Sequence, residues 1–462
     1  MTLIKSISGI RGTIGGSPGE SLSPIDIVKF SSAFAHWAIN NSGKKDIVIG
    51  RDARPSGEMV SNLVKGAVTA MGIGIIDLDL STTPTVEMAV AAENAAGGII
   101  ITASHNPVEW NALKLVNHFG EFVSAADGEE ILQLAESALI FAPVEKLGSV
   151  RTIDNYLEKH IEAILALPEV NVESIQAANL SIVVDAVNSS GGIAVPQLLE
   201  ALGVTQITKL HCEPTGNFPH NPEPLPEHLT DISDAMKSAS HDMGIVVDPD
   251  VDRLAFVCED GTMFGEEYTL VAVADYILSL NPGNTVSNLS STRALRDVTV
   301  ANGGNYAASA VGEVNVVTKM KATDAVIGGE GNGGIILPAL HYGRDALVGI
   351  ALFLTHYVKK GMKISELRAF YPSYYMAKKK IQLTEKIDVD AVLSSMAEEY
   401  ASHDLNKLDG LKIEFKSSWV HLRKSNTEPI IRIYTEAQSM SQANELADQI
   451  ISQIEVLASS SN

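Results

Sequence analysis

Short apolar runs alternate with amphipathic segments along most of the chain. DIVIG (46–50), GIGIIDLDL (72–80) and GGIII (97–101) read as buried strands. Between them, GEMVSNLVKGAVTAMG (57–72) and PTVEMAVAAEN (84–94) space apolar residues as one helix face does. A helix, DGEEILQLAESAL (127–139), and a loop at Pro143 close this first unit. The second unit opens with the helix DNYLEKHIEAILAL (154–167) and continues with the strand LSIVVDAVNSSGG (180–192) and the helix AVPQLLEALG (194–203). It ends on one long strand, MGIVVDPDVDRLAFV (243–257). The intervening CEPTGNFPHNPEPLPEHL (212–229) is a loop, because its prolines lack backbone donors.

A third unit holds YTLVAVADYILSL (268–280), the strands TVSNLSST (285–292) and DAVIGGEGNGGIILP (324–338), and the helix DALVGIALFLTHYVKKG (345–361). After FYPSYY the pattern changes. Two helical stretches, DVDAVLSSMAEEYA (388–401) and MSQANELADQIISQIEVLA (440–458), surround the strands GLKIEF (410–415), SWVHLR (418–423) and IIRIYTEA (430–437). Three similar α/β units and one α+β unit are expected, divided as 1–148, 149–258, 259–368 and 369–462. The terminal ASSSN reads as a frayed tail.

Composition narrows the function. A chain of 462 residues with 45% hydrophobic residues can bury several cores, yet it has no apolar run long enough to span a membrane. The leading MTLIKSISGIRG lacks the apolar stretch of a signal peptide, and two cysteines, Cys212 and Cys258, make no disulfide framework. A cytoplasmic setting is the expectation. A net charge of −22 argues against nucleic acid and anionic membranes as partners. A phosphorylated substrate would need local cations to overcome that field.

Four polar stretches end or follow strands, where open α/β sheets bind ligands. TASHNP puts Ser104 at a strand tip, as a phosphate carrier or nucleophile, or else as the cap of a following helix. It lacks the glycines of a nucleophile elbow. DPDVDR sets Asp248, Asp250 and Asp252 at alternate positions, which suits a hard cation with oxygen ligands or a solvated acidic turn. It is no EF-hand, although Glu259 falls at the last ligand position, because Arg253 stands where that loop needs glycine. GGEGNGG offers Glu330, Gly331 and Asn332 to sugar hydroxyls, or is a flexible connection. RKSNTEP, with Arg423, Ser425, Asn426 and Thr427, fits a dianionic phosphate or an ordinary polar turn. Arg432 adds a second cation there or lies on a strand's solvent face. Arg11, Arg51 and Arg54, beside turn glycines, are further candidates to neutralise a phosphate, with Arg51 and Asp52 read as a structural pair.

These motifs, with GIRG near the N-terminus, occur in an order that resembles the α-D-phosphohexomutases: phosphoglucomutase, phosphomannomutase and phosphoglucosamine mutase. The resemblance spans the chain. It implies three related α/β domains with mixed sheets plus a C-terminal α+β domain, arranged around a central cleft. It implies a phosphorylated Ser104 on Mg²⁺ held by Ser104, Asp248, Asp250 and Asp252, with Arg11 and Arg253 beside it. His105 and Lys114 match the family's active-site histidine and lysine, and Lys114 is a candidate proton shuttle. Glu330, Gly331 and Asn332 would read the sugar. Arg423, Ser425, Asn426, Thr427 and Arg432 would grip the remote phosphate. The implied reaction interconverts hexose 6-phosphate and 1-phosphate through a hexose 1,6-bisphosphate, which also serves as activator. Glucosamine is the favoured sugar, glucose or mannose the alternative, and a non-catalytic phosphosugar-binding protein is the competing class. The expected partner is a small phosphosugar, and the expected state a monomer or homodimer. Gly334 departs from the pattern, since many bacterial members place an acid/base histidine there; His341 is a possible substitute or a plain loop residue.

Overall fold

The computed structural model describes residues 2–6, 9–382, 389–424 and 430–460. Four sheets follow one another along the chain. The first has seven strands in the order Ile4–Ser6, Gly9–Thr13, Trp110–Val116, Gly97–Ile101, Asp46–Arg51, Gly74–Leu80 and Val150–Thr152. Its middle is parallel, and antiparallel pairing of Gly97–Ile101 with Trp110–Val116 turns it into a mixed sheet. Val150–Thr152 still belongs to this sheet, pairing parallel with the strand Gly74–Leu80. The chain therefore leaves the first sheet a few residues beyond position 148.

Two stretches read as single strands are hairpins. MGIVVDPDVDRLAFV divides into Met243–Val247 and Leu254–Val257, paired antiparallel. DAVIGGEGNGGIILP divides into Ala325–Glu330 and Gly334–Ile336 in the same way. In each case apolar residues on both arms hid the reversal, and the polar residues between them form the turn. These hairpins sit in two four-stranded sheets, each completed by parallel strands. The second and third sheets share one core, which runs from Ile161 to Tyr371.

The last sheet is antiparallel throughout, in the order Tyr375–Gln382, Ile430–Ala437, Trp419–Lys424, Leu411–Glu414 and Asp404–Asn406. The strand Tyr375–Gln382 escapes a reading by hydrophobic runs because three consecutive lysines interrupt it. This domain has its own core, built by Val389, Met396, Ile413, Leu422, Ile433 and Ile450 among others. No helix among the described residues is long and apolar enough to cross a membrane. The terminal helix Met440–Ser460 runs into most of the segment read as a tail; Ser461 and Asn462 lie outside the described residues.

Candidate active site

Ser104 follows the fully buried strand Gly97–Ile101, with a left-handed backbone at φ 49°. Turns lead from it straight into the strand Trp110–Val116, so it caps no helix. The Thr102 hydroxyl accepts the Ser104 N–H at 2.9 Å and donates to Asp52 at 2.6 Å. Arg54, 1% exposed, donates to the carbonyls of Ser104, Asn106, Pro107 and Trp110 at 2.6, 2.7, 2.6 and 3.0 Å. Its Nε pairs with Asp52 at 3.0 Å. This corrects the reading of Arg54 as a phosphate ligand: it is committed to the backbone of the serine loop. The structural pair expected between Arg51 and Asp52 is also replaced, since Arg51 bonds Asp79 at 2.8 Å and Asp52 bonds Arg54.

So held, Ser104 donates its hydroxyl to Asp248 Oδ2 at 2.7 Å. Asp248, Asp250 and Asp252 line the turn of the hairpin 243–257, and all three are fully buried. Asp248 Oδ1 accepts the N–H groups of Asp252 and Arg253, each at 3.1 Å. Lys114 donates to Asp250 Oδ2 at 2.6 Å and to Asp252 Oδ2 at 3.0 Å. The Thr83 hydroxyl also donates to Asp250 Oδ2. One oxygen from each aspartate lies within 4.8 Å of the others, and Asp250 Oδ1 and Asp252 Oδ1 have no hydrogen-bond partner. Orphaned buried carboxylate oxygens are costly, and an oxygen-seeking divalent ion would satisfy them. The residues therefore fit such an ion.

The electrostatics agree. Burial raises the Asp248 pKa, and the charges of Asp250 and Asp252 raise it further. Burial would raise Asp252 as well, but Arg344, Lys114 and Arg253 outweigh it and hold the carboxyl below its ordinary range. Burial would lower Lys114, yet Asp250 and Asp252 hold its ammonium above the usual lysine value. His105 lies the other way: burial, then Arg253, push it well below an ordinary histidine, with Nδ1 3.5 Å from Ser104 Oγ. Arg11, on the strand Gly9–Thr13, is depressed by burial and then by the charge of Arg253. Two guanidinium groups close enough to repel form a seat for an anion. Arg253 Nε has no hydrogen-bond partner, and its Nη1 lies 3.5 Å from Glu223.

Arg344 was not singled out from the sequence. It links the aspartates to the glycine-rich loop, donating to Asp252 at 2.7 Å, Glu313 at 2.9 Å and Glu330 at 3.1 Å. A single arginine in GRD, 92 residues from Asp252, gives no local signal of that reach. Glu330 ends the strand Ala325–Glu330 and is 5% exposed. Its Oε1 accepts from Asn288 at 2.8 Å and from the Gly312 N–H at 3.0 Å, which leaves an acceptor position on Oε2 beside Arg344. Gly331 N–H donates to Ser291 Oγ at 3.0 Å, and Asn332 Oδ1 accepts from Gly334 N–H at 3.3 Å. The Gly333 carbonyl accepts the Leu254 N–H at 3.1 Å, which ties this loop to the aspartate hairpin.

His341 joins a different group. Its Nε2 lies 3.2 Å from Asp345, its Nδ1 3.5 Å from Glu87, and His160 reaches the same Asp345 oxygen at 2.9 Å. Arg423 and Arg432 are register partners on adjacent strands of the fourth sheet, and Arg423 Nε bonds Asp409 at 3.0 Å. Ser425, Asn426 and Thr427 lie outside the described residues.

The sequence signatures of all four domains of one family match: phosphoglucomutase/phosphomannomutase alpha/beta/alpha domain I over 3–139, domain II over 158–261, domain III over 265–374 and the C-terminal domain over 379–453. A "phosphoglucomutase/phosphomannomutase" of Thermococcus kodakarensis is 34% identical over 443 residues, covering 94% of this chain and 96% of its own. A "probable phosphoglucosamine mutase" of Methanopyrus kandleri is 32% identical over 449 residues, covering 96% of each chain. In shape, the chain matches the crystal structure of a phosphoglucomutase/phosphomannomutase family protein from Burkholderia thailandensis. The TM-score is 0.85 at 24% identity, over 99% of this chain and 98% of that one.

Proposed function

Since the chain belongs to the phosphoglucomutase/phosphomannomutase family of isomerases, we propose that it interconverts hexose 6-phosphate and hexose 1-phosphate through a phosphorylated Ser104. Glucosamine 6-phosphate and glucosamine 1-phosphate are the substrate pair in this reading. The observation that carries it is the hydroxyl of Ser104 held 2.7 Å from Asp248, beside two buried carboxylate oxygens with no partner. Mg²⁺ at Asp248, Asp250, Asp252 and the Ser104 phosphate would supply Lewis-acid charge for phosphoryl transfer.

The chain's own residues supply positioning and charge, which is most of what phosphoryl transfer requires. Arg54 and Thr102 fix the serine loop. Arg11 and Arg253 receive the equatorial phosphate oxygens. Phosphoserine gives its phosphoryl group to the free hydroxyl of the bound sugar, making a hexose 1,6-bisphosphate. The sugar turns, and its other phosphoryl group returns to Ser104. Asp250 and Asp252 favour the charged form of Lys114, so it acts as donor at one end of this cycle and as acceptor only after releasing that proton. Arg423, Ser425, Asn426, Thr427 and Arg432 hold the phosphate that is not reacting, and Glu330, Gly331 and Asn332 meet the sugar hydroxyls.

Glucosamine is supported by the Thr427-Glu428-Pro429 ending of the phosphate loop and by the names of several relatives. A second reading, glucose or mannose phosphate, is favoured by Arg344: a guanidinium 3.1 Å from Glu330 repels a sugar ammonium there. A coupled assay with Mg²⁺ and a trace of hexose 1,6-bisphosphate tests both. Glucosamine 6-phosphate, glucose 1-phosphate and mannose 1-phosphate are compared, with Ser104→Ala as control. A glucosamine preference lost in the control supports the first reading. A glucose or mannose preference replaces the substrate and keeps the mechanism. No turnover of any of the three overturns the mutase reading.

A further inference from the structure

The proline-rich loop 212–229 has no regular structure beyond one short turn at Pro226–His228. It nevertheless carries two side chains to the centre: Phe218 lies 5.0 Å under the Arg54 guanidinium, and Glu223 faces Arg253. Something must fix so long a segment, and the residues at its two ends and middle carry unusual chemistry. Ligand atoms of Asp185, His211 and His220 lie within 4.8 Å of one another. Asp185 ends the buried strand Ser181–Asp185, His211 precedes the loop, and His220 sits in its middle.

The two nitrogens of His220 constrain what lies between these groups. Nδ1 is 2.8 Å from the Asn221 carbonyl, which only accepts, so Nδ1 carries a hydrogen. Nε2 is 3.1 and 3.3 Å from the two Asp185 oxygens, which also only accept. A positive species must therefore stand between Nε2 and Asp185: a second proton or a metal ion. His211 stands edge-on to His220 with ring centroids 5.6 Å apart, and its Nε2 lies 3.0 Å from Asp231 Oδ2. One divalent ion would serve both rings and the Asp185 carboxylate.

We propose that Asp185, His211 and His220 bind a zinc-class divalent ion that pins the loop 212–229, with Asp231 outside the ligand set as the partner of His211. Two imidazole nitrogens and a carboxylate suit zinc, with a fourth position open to solvent, and the nitrogens disfavour magnesium. The Nδ1–H of His220 on a backbone carbonyl is the outer hydrogen bond that orients a metal-bound histidine. Entry is open from solvent, because the Asp231 side chain is 60% exposed while Asp185 is buried. Cys212 is outside the set: its thiol donates to the Leu210 carbonyl at 3.1 Å. The ion would shorten the free length of the loop, so fewer conformations compete with the one that brings Phe218 and Glu223 to the site.

The test uses the full chain, stripped with chelator and then saturated with Mg²⁺ so that the aspartate loop is filled. Zn²⁺ is titrated by calorimetry, and Co²⁺ by visible absorption, where four-coordinate binding gives intense bands. The expected result is one equivalent in the wild type and in Asp250→Asn. His211→Asn/His220→Asn should take up none. Asp231→Asn, an exposed change that leaves folding intact, should bind at least tenfold more weakly. Zinc uptake that survives the double substitution, or that is lost in Asp250→Asn, places the ion elsewhere and overturns the proposal. A wild type that binds no zinc overturns it as well, and leaves protons holding the cluster.

Discussion

A Cβ built on Gly334 would lie 2.3 Å from Cδ of Arg344, so the arginine fills the space a side chain at 334 needs. Arg344 cannot simply swing away, because Asp252, Glu313 and Glu330 each hold part of its guanidinium. This is the physical reason glycine, and not histidine, stands at position 334 here. His341 stands apart from this position, with Nε2 3.2 Å from Asp345.

Gly334→Ala should therefore displace Arg344 and lower stability by about 1–3 kcal/mol, the usual cost of overpacking. Activity should fall with it, because Asp252 and Glu330 lose their shared cation. Unchanged melting and kcat/KM in Gly334→Ala would show that the arginine has room to move.

Arg344→Ala leaves three buried carboxylates without their guanidinium, a change that typically costs about 3–5 kcal/mol. Arg344→Lys should recover little, because one ammonium cannot reach three carboxylates at once. Denaturant melts of the two variants against wild type decide this. A lysine variant as stable as wild type would count against the fork geometry.

Arg54→Lys should damage the reaction more than binding. The four carbonyls of the serine loop lose their common donor, and misplacing a reacting group by about 1 Å can cost on the order of 10²-fold in rate. Steady-state kinetics should show kcat falling while KM changes little. A rise in KM at constant kcat would mean that Arg54 serves substrate binding instead.

Mg²⁺ at 100 times its Kd should stabilise the fold by about 2.7 kcal/mol, if it binds only the folded chain. Asp250→Asn should lose most of that increment, and chelation should abolish turnover of the wild type. Equal Mg²⁺-dependent shifts in melting temperature for both proteins would move the ion away from the aspartates.

His421, buried in the fourth domain, bonds Ser290 at 2.9 Å and the Asp409 carbonyl at 2.7 Å. Burial, with help from Lys412 and Arg423, lowers its pKa to about 4 despite the Asp409 bond. The unfolded chain binds a proton near pH 6.5 and the folded chain does not. Stability from this group is thus complete above about pH 6.5 and falls as pH drops towards 4, by at most about 3 kcal/mol. Denaturation at pH 7.5 and pH 5 should show a smaller difference in His421→Gln than in wild type. The same pH dependence in both would assign the loss to other groups.

Much of the site could be read in advance because each motif is local. Ser104 in TASHNP, three aspartates in DPDVDR and the glycines around Glu330 announce themselves within a few residues. Alternation of strand and helix patterns likewise marked three α/β units and a different last one. Reading failed where the deciding partner is distant in sequence. Arg54 looked like a phosphate ligand because nothing nearby shows the four carbonyls it caps. Arg344 drew no notice because its three carboxylates come from positions 252, 313 and 330. The two hairpins were read as single strands because buried antiparallel arms and one buried strand share the same apolar composition.

The sequence alone determined which chemical groups are present, their order, and the strands that deliver them, since backbone periodicity and turn chemistry act over a few residues. Only the tertiary structure decided which charges meet. Lys114 stands against Asp250 and Asp252, Arg344 reaches into the aspartate hairpin, and His211 and His220 face Asp185. Ion pairing depends on distance through space in a low-dielectric interior, and separation along the chain carries almost no information about that distance.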